Sequence, residues 1–178
     1  MYEKPKVLTY PRTDSKALPE DYVSVVKQTM QMIATETLPG PLRAVAPHAK
    51  TALKEGYVKP NKRIFDNTKI SDHFAIIPTL VRPKSLNELE GKLYDFVVKR
   101  FLAAFFPPAE FTVTTRITRV AGEPFKSEGK VLVVPGWLAV YGKEVQSDDG
   151  PAKAGEKPTL AAVVPGDVVI AVVEVRDA

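Results

Sequence analysis

Two consecutive prolines, Pro107 and Pro108, separate two stretches of the chain that differ in hydrophobic periodicity. Ahead of them, apolar residues recur at helical spacing from about Leu86 to Phe106. The members of this apolar stripe are Leu86, Leu89, Leu93, Phe96, Val97 and Ala104. After the prolines, apolar side chains alternate with threonine and arginine over residues 111–118, which is typical of a strand. Because proline cannot continue a helix, we predict a domain boundary at this point.

This boundary predicts an α+β protein with two domains. Residues 1–108 should form a mainly helical domain, with further helices over residues 19–38 and 47–55. Ser85 and Glu88 have the spacing of a capping box, which predicts the N-terminus of the long helix. Residues 109–178 should form a β-rich domain, and beyond the strand at 111–118 its predicted strands are 129–134, 137–141, 160–164 and 168–175.

The composition excludes several classes of site. The chain has no cysteine, which excludes disulfides, thiolate metal sites and cysteine nucleophiles, and it has only two histidines. We therefore expect neither a metal site nor a cofactor in this chain. The sequence contains no apolar stretch of membrane-spanning length and no signal-peptide centre, which favours a cytoplasmic protein without a membrane partner.

The basic charge is concentrated in the first predicted domain. Residues 1–108 carry 17 Lys/Arg against 11 Asp/Glu, whereas residues 109–178 carry 8 against 10. Seven of the basic residues lie between Arg43 and Lys69. Clustered cations favour a polyanionic partner such as nucleic acid, because each neutralised phosphate releases counterions. An ordinary solvated basic surface is the alternative interpretation.

Two short motifs in the first domain are rich in polar, chemically active side chains. Residues 8–15, LTYPRTDS, place a phenol two residues from a guanidinium and four from a carboxylate. Residues 70–79, ISDHFAIIPT, place a histidine beside an aspartate ahead of an apolar run. Taken alone, the first motif is compatible with a polar turn before a helix, and the second with a structural histidine.

Together the two motifs resemble the type IA DNA topoisomerases, and most closely their bacterial topoisomerase III branch. In that family a TYPRTDS run carries the nucleophilic tyrosine and a DH-x-AIIPT run follows it. A β-rich segment similar to SEGKVLVVPGWLAVY, residues 127–141 here, comes later. All three occur in this order, residues 9–15 match at every position, and the resemblance covers essentially the whole chain.

The resemblance implies that Tyr10 attacks a phosphodiester of single-stranded DNA and forms a 5′-phosphotyrosyl bond. Religation after strand passage would release the tyrosine without ATP. An ordinary phenol ionises only near a pH of about 10, so a neighbouring cation is needed to stabilise the phenolate and the charge that develops on the phosphate. Arg12 would be that cation, and its planar guanidinium can bind a phosphate through two hydrogen bonds.

Three further residues match positions that the family places at the DNA. Thr13 could bind a phosphate or sugar oxygen. Asp14 could orient Arg12 or a backbone group, or cap a helix or turn, since a carboxylate facing a phosphate would repel it. His73 matches the histidine near the scissile phosphate, where an imidazolium could donate a hydrogen bond. Phe74 departs from much of the family, in which a second polar residue often follows the histidine.

The resemblance also implies partners outside this chain. Type IA enzymes carry a Toprim domain whose glutamate and Asp-x-Asp carboxylates act in acid/base chemistry and bind Mg²⁺, and no Asp-x-Asp triplet occurs in this sequence. We therefore expect a fragment with the tyrosine domain over residues 1–108 and part of the arch domain over residues 109–178. It would bind single-stranded DNA but cleave it only with the missing Toprim domain and its Mg²⁺. The alternative is a single-stranded DNA-binding or partner-binding module without catalysis.

Overall fold

The computed structural model of the protein describes residues 1, 3, 5–35 and 40–147. In this part of the chain the first structural unit comprises Met1–Pro108 and Pro135–Val145, and the second comprises Ala109–Val134 with residues 146 and 147. The first unit is helical and the second is an antiparallel pair of strands, which confirms the α+β class. Pro135–Val145 belongs to the first unit, so this unit is not one continuous stretch of the sequence. The division into two domains, residues 1–108 and 109–178, stays a prediction.

The first two helices pack against each other in the first unit. Helix α1, Val23–Ala34, follows a 3-10 turn at Glu20–Tyr22, and helix α2 spans Ala46–Lys54, within one residue of its predicted ends. Helix α2 buries only alanines: Ala46, Ala49 and Ala52. Helix α1 buries larger side chains: Val26, Thr29, Met30, Met32 and Ile33. Small side chains on one helix let the backbone of the other approach closely. The end predicted for the first helix, at residue 38, lies outside the described residues.

The third helix, α3, spans Glu88–Phe105, and its N-terminus is capped two residues later than the sequence predicted. The Glu90 N–H donates to Asn87 Oδ1 (2.9 Å) and the Asn87 N–H donates to Glu90 Oε2 (2.9 Å), which completes a capping box. The prediction of a Ser85–Glu88 box is therefore wrong. Asn87 and Glu90 have the same spacing, and asparagine is as good an N-cap as serine, so spacing alone did not separate the two.

The predicted apolar stripe of α3 is also wrong in part. Leu89, Leu93 and Phe96 are 77%, 50% and 64% exposed. The side chains that α3 buries instead are Tyr94, Val98, Phe101, Leu102, Ala103 and Phe105. Both sets recur at helical spacing, because this helix is apolar on more than one side. Only contact with the rest of the first unit selects the buried side.

The second unit, in its described part, is a β-hairpin. Strands β1, Glu110–Val120, and β2, Glu123–Val134, pair antiparallel along their whole length. Ala121 and Gly122 connect them, and both have positive φ (51° and 88°), as a two-residue type I′ hairpin turn requires. The strand predicted at 111–118 is confirmed, and the strand predicted at 129–134 begins earlier. The strands predicted beyond residue 147 lie outside the described residues.

The chain after β2 does not form the strand that was predicted over residues 137–141. It forms 3-10 helical turns over Gly136–Ser147, with a break at Gly142, whose backbone (φ 68°, ψ −154°) is not helical. The Trp137 N–H donates to the carbonyl of Pro107 (2.9 Å), just after the end of α3. This N–H is therefore not available to pair with a neighbouring strand. No helix in the described part of the chain is both long enough and apolar enough to span a bilayer.

Gly136 is needed where this segment approaches the end of α3. Its φ is +48°, and a Cβ at this position would collide with backbone atoms of Pro107 and Pro108. Gly136→Ala should therefore destabilise the protein by more than the roughly 1–2 kcal/mol that a left-handed backbone costs a residue with a Cβ. Chemical denaturation of the variant measures this loss.

Gly56→Ala is the matched control for this prediction. Gly56, which follows the end of α2, also has positive φ (+63°), but a Cβ there would meet no atom within 4 Å. This control should lose only the contribution of the backbone conformation. Equal losses in the two variants would contradict the steric explanation for Gly136.

Candidate functional site

The two motifs identified in the sequence lie side by side because their chain segments exchange backbone hydrogen bonds. Leu8 and Pro78 form an antiparallel bridge. The Thr9 N–H donates to the Ile77 carbonyl and the Thr79 N–H donates to the Val7 carbonyl, each at 3.0 Å. This pairing fixes Tyr10 opposite the residues that precede the apolar run of the second motif.

A second set of hydrogen bonds fixes the other end of the first motif. The Leu18 N–H donates to the Ile64 carbonyl (2.7 Å), the Asp66 N–H donates to the Leu18 carbonyl (3.0 Å), and the Ala75 N–H donates to the Ala17 carbonyl (2.9 Å). The residues at both ends of the motif are buried in the core: Val7, Leu8, Ala17 and Leu18. Residues 9–16 are therefore held at each end and cross the surface between the two anchors.

Three hydroxyl groups hold the middle of this stretch. Thr9 Oγ1 donates to the Ala75 carbonyl (3.1 Å), Thr13 Oγ1 to the His73 carbonyl (2.8 Å) and Ser15 Oγ to the Lys69 carbonyl (2.8 Å). Each hydroxyl also accepts a hydrogen bond from a backbone N–H, from Ile77, Ser15 and Ala17 respectively. Thr13, predicted from the sequence to be able to bind a phosphate or sugar oxygen, donates its hydroxyl hydrogen to the second motif in the folded chain.

Exposure alternates along residues 12–17. Arg12, Asp14 and Lys16 are exposed, whereas Thr13 and Ser15 are half-buried and Ala17 is buried. Alternate side chains of an extended segment point to opposite sides. The charged side chains of the first motif therefore face solvent, while its hydroxyls face the protein.

Asp14 makes neither of the contacts that were predicted for it. Within the described residues the Asp14 carboxylate accepts no hydrogen bond and forms no ion pair, so it neither orients Arg12 or a backbone group nor caps a turn. The side chains that accept backbone N–H groups in this turn are Thr13 and Ser15. Their hydroxyls have the better position because they lie on the inward-facing side of the extended segment.

Tyr10 and His73 are in direct contact. Their ring centroids are 4.3 Å apart with an angle of 48° between the rings, Tyr10 being half-buried and His73 exposed. The next residue, Phe74, packs its ring on Tyr22, with centroids 4.8 Å apart, and lies against the buried core. The backbone directly after His73 is therefore anchored to the first unit.

These residues surround one open depression of about 510 Å³. It is lined by Tyr10, Pro11, Arg12, Thr13, Asp14, Ser71, Asp72 and His73. All five residues that the sequence analysis selected for the site lie here. Ser71 was missed, since nothing in its sequence context distinguishes it from an ordinary loop serine. The depression offers a guanidinium, an imidazole and a phenol to a ligand that enters from solvent, with two carboxylates beside them.

Several cations of the basic stretch, residues 43–69, are engaged within the protein. Lys62 pairs with Glu20 (2.6 Å), Lys69 pairs with Asp66 (3.0 Å), and Arg63 donates to the carbonyl of Ala104 (2.8 Å). The Lys62 ammonium lowers the pKa of the Glu20 carboxyl through a hydrogen bond and charge attraction. These three basic side chains therefore bind groups within the protein. The number of charges in the sequence could not show which cations are engaged in this way.

The described residues do not fit a metal site. They contain no group of three or more His, Cys, Asp or Glu side chains that could hold an ion. Asp14 and Asp72 both line the depression, but they are its only two carboxylates among the lining residues. Mg²⁺ therefore stays an expectation for a longer enzyme.

Known proteins resemble this chain over most of its length. A family model described as DNA topoisomerase matches residues 1–176. The chain is 39% identical over 163 residues to DNA topoisomerase 3 of Bacillus licheniformis, which covers 90% of this chain and 21% of that protein. It is 40% identical over 151 residues to DNA topoisomerase 3 of Bacillus cereus, which covers 84% of this chain and 20% of that protein. It is 37% identical over 172 residues to DNA topoisomerase 3 of Bacillus subtilis, which covers 94% of this chain and 22% of that protein. The chain thus spans about a fifth of the length of these relatives.

Asp66 supports the site through the turn that follows it. Its carboxylate accepts from the hydroxyl (2.6 Å) and N–H (3.1 Å) of Thr68, at the start of the 3-10 turn Asn67–Lys69, and the carbonyl of Lys69 accepts from Ser15. The Thr68 hydroxyl and the Lys69 ammonium lower the pKa of Asp66 from 3.8 to about 2. Since the charged form is favoured in the folded state, Asp66 stabilises the fold fully above pH 3.8, and this contribution disappears as the pH falls toward 2.

The pH dependence of unfolding tests this role. Asp66→Asn should be less stable than the unsubstituted protein at pH 5, and the difference should shrink between pH 3.8 and about 2. Thr68→Val removes one of the hydrogen bonds and should move the loss of stability to higher pH. Parallel stability curves for Asp66→Asn and the unsubstituted protein over this range would contradict the assignment.

Proposed function

The chain belongs to the DNA topoisomerase family, and we propose on this basis that it carries the nucleophilic tyrosine of a type IA enzyme acting on single-stranded DNA. One observation supports the proposal most directly: Tyr10, Arg12 and His73 line the same open depression, with the phenol against the imidazole. A Tyr10 ring enclosed in the apolar core would have argued against it, whereas the ring is half-buried at the surface.

The proposed reaction is a reversible transesterification. The phenolic oxygen of Tyr10 attacks the phosphorus of a phosphodiester, and a new oxygen–phosphorus bond forms. The bond to the 3′ oxygen breaks, the phenolic proton passes to an acceptor, and the leaving 3′ oxygen gains a proton. The products are a 5′-phosphotyrosyl ester and a 3′-hydroxyl. Attack by that hydroxyl after strand passage reverses each step, so no ATP is consumed.

Arg12 and His73 have distinct roles in this proposal. The guanidinium of Arg12 is exposed at the rim of the depression, where it can bind two oxygens of the attacked phosphate and stabilise the charge that develops there. The ring of His73 lies against the nucleophile, so a phosphate that Tyr10 attacks also comes within reach of an imidazole N–H. Asp14, exposed beside Arg12, would face the DNA without touching its phosphates, because the two negative charges repel.

Other parts of the reaction would come from the rest of a longer enzyme. The acid/base carboxylates and Mg²⁺ belong in this proposal to a Toprim domain, since the described residues offer no suitable cluster. The residues of this chain position the nucleophile and the phosphate. The chain alone is accordingly proposed to be inactive in cleavage.

Detection of a covalent adduct by intact mass tests the proposal. The chain is incubated with a single-stranded oligonucleotide, Mg²⁺ and a separately supplied Toprim domain. An adduct is expected with the unsubstituted chain and none with Tyr10→Phe. Tyr57→Phe is the matched control, because it removes a phenolic hydroxyl from another half-buried tyrosine, which packs on Phe106.

Arg12→Lys refines the same experiment. It keeps the positive charge but loses the planar fork, so the rate of adduct formation should fall on the order of 10²-fold. An adduct that persists in Tyr10→Phe would contradict the assignment of the nucleophile. DNA binding without any adduct, with or without the added domain, would favour the alternative of a binding module without catalysis.

A further inference from the structure

The hydroxyl of Thr13 links the two residues whose rings meet in the site. Thr13 lies three residues after Tyr10, and its Oγ1 donates to the main-chain carbonyl of His73 at 2.8 Å, across a separation of 60 residues in sequence. The ring of the same histidine lies 4.3 Å from the ring of Tyr10. His73 is therefore bound to the Tyr10 segment twice, by its ring against Tyr10 and by its carbonyl, which accepts the hydrogen bond from Thr13.

We propose that Thr13 is a positioning residue, whose hydroxyl holds the backbone of His73 so that the imidazole stays against Tyr10. The effect on DNA cleavage rests on the function proposed above, but the effect on the two rings does not. Thr13 in this role acts through His73 and does not itself contact the phosphate.

The geometry of Thr13 suits a fixed hydroxyl better than one that binds a ligand. Its single hydrogen is donated to His73, and its oxygen accepts from the Ser15 N–H (3.0 Å). Both partners are main-chain groups, so they hold the side chain in one rotamer, and the β-branch of threonine restricts that torsion further. A phosphate oxygen could receive this hydrogen only if the bond to His73 were broken.

The backbone at His73 is held by the Thr13 hydroxyl and, at the next residue, by the packing of Phe74 on Tyr22. The His73 ring is exposed, and residues 71–73 lie between the Lys69 carbonyl bound by Ser15 and the Ala75 N–H bound to Ala17. Within this interval Thr13 provides the hydrogen bond to the histidine backbone. Loss of the Thr13 hydroxyl should therefore let residues 71–73 move, while the segments on either side stay folded.

The first experiment observes the rings directly in this chain. Thr13→Val removes the hydroxyl at nearly unchanged shape, and Thr13→Ser retains it. Thr51→Val is the matched control, because Thr51 Oγ1 also donates to a main-chain carbonyl, that of Pro47 (3.0 Å), but does so within α2. The chain has two histidines and six tyrosines, so selective labelling allows nuclear Overhauser contacts between the rings of His73 and Tyr10 to be resolved.

The contacts between the two rings should be present in the unsubstituted protein, in Thr13→Ser and in Thr51→Val. They should be lost in Thr13→Val, while the resonances of the other histidine, His48 in α2, stay unchanged. Ring contacts that persist in Thr13→Val would overturn the proposal. If Thr13→Val does not fold, Thr13→Ala takes its place. Failure of both to fold would also overturn it, since the hydroxyl would then be a general requirement for folding.

The second experiment separates positioning from DNA contact. In the adduct assay, Thr13→Val should slow cleavage on the order of 10- to 100-fold, as expected for a misplaced reacting group, with unchanged affinity for the oligonucleotide. Thr13→Ser should restore the rate. Weakened affinity with an unchanged cleavage rate would overturn the proposal in favour of a direct contact between Thr13 and DNA.

The two experiments also distinguish failure of this inference from failure of the proposed function. If the unsubstituted chain forms no adduct, the proposed function fails, while the ring contacts still decide whether Thr13 positions His73. If the adduct forms normally but the rings of Thr13→Val remain in contact, only the positioning role fails.

Discussion

The pairing between residues 7–18 and residues 64–79 is the interaction on which the candidate site depends. Each segment is short and irregular, and neither could hold an extended conformation alone, because ordering each residue costs about 1–2 kcal/mol of conformational entropy. Backbone hydrogen bonds at both ends, next to buried residues such as Leu8 and Leu18, compensate for this cost. The polar residues between the two anchors are then held at the surface without being buried themselves.

Because of this arrangement, adjacent side chains of the extended segment after Tyr10 have different roles. An extended segment fixed at both ends presents alternate side chains to opposite sides. The inward side carries hydroxyls, which can donate to a carbonyl and accept from an N–H at the same time. The outward side carries Arg12, Asp14 and Lys16, which remain in water. A compact run of polar residues can thus be structural and chemical at once, with adjacent residues taking different roles.

The helical framework shows where reasoning from periodicity succeeds and where it stops. Helix α2 could be predicted to within one residue, because proline near its start and Gly56 after its end, at φ +63°, mark both boundaries. Helix α3 could be predicted to exist, but its cap and its buried side could not, because two capping pairs and two apolar sides satisfy the same rules. The segment around Trp137 was predicted to be a strand because its composition suits one, whereas in the folded chain it forms 3-10 turns and its Trp137 N–H donates to the Pro107 carbonyl.

The sequence by itself determined the α+β class, the family of the chain and the residue types available for chemistry. Those properties follow from local patterns, from composition and from a motif matched at every position. Only the tertiary structure decided that the two motifs meet, that Thr13 faces the protein while Arg12 faces solvent, and that Asp66, Lys62 and Lys69 are engaged in the fold. The physical reason is that these facts depend on hydrogen bonds and ion pairs between residues that are mostly more than 40 positions apart in sequence, where no local preference can specify the partner.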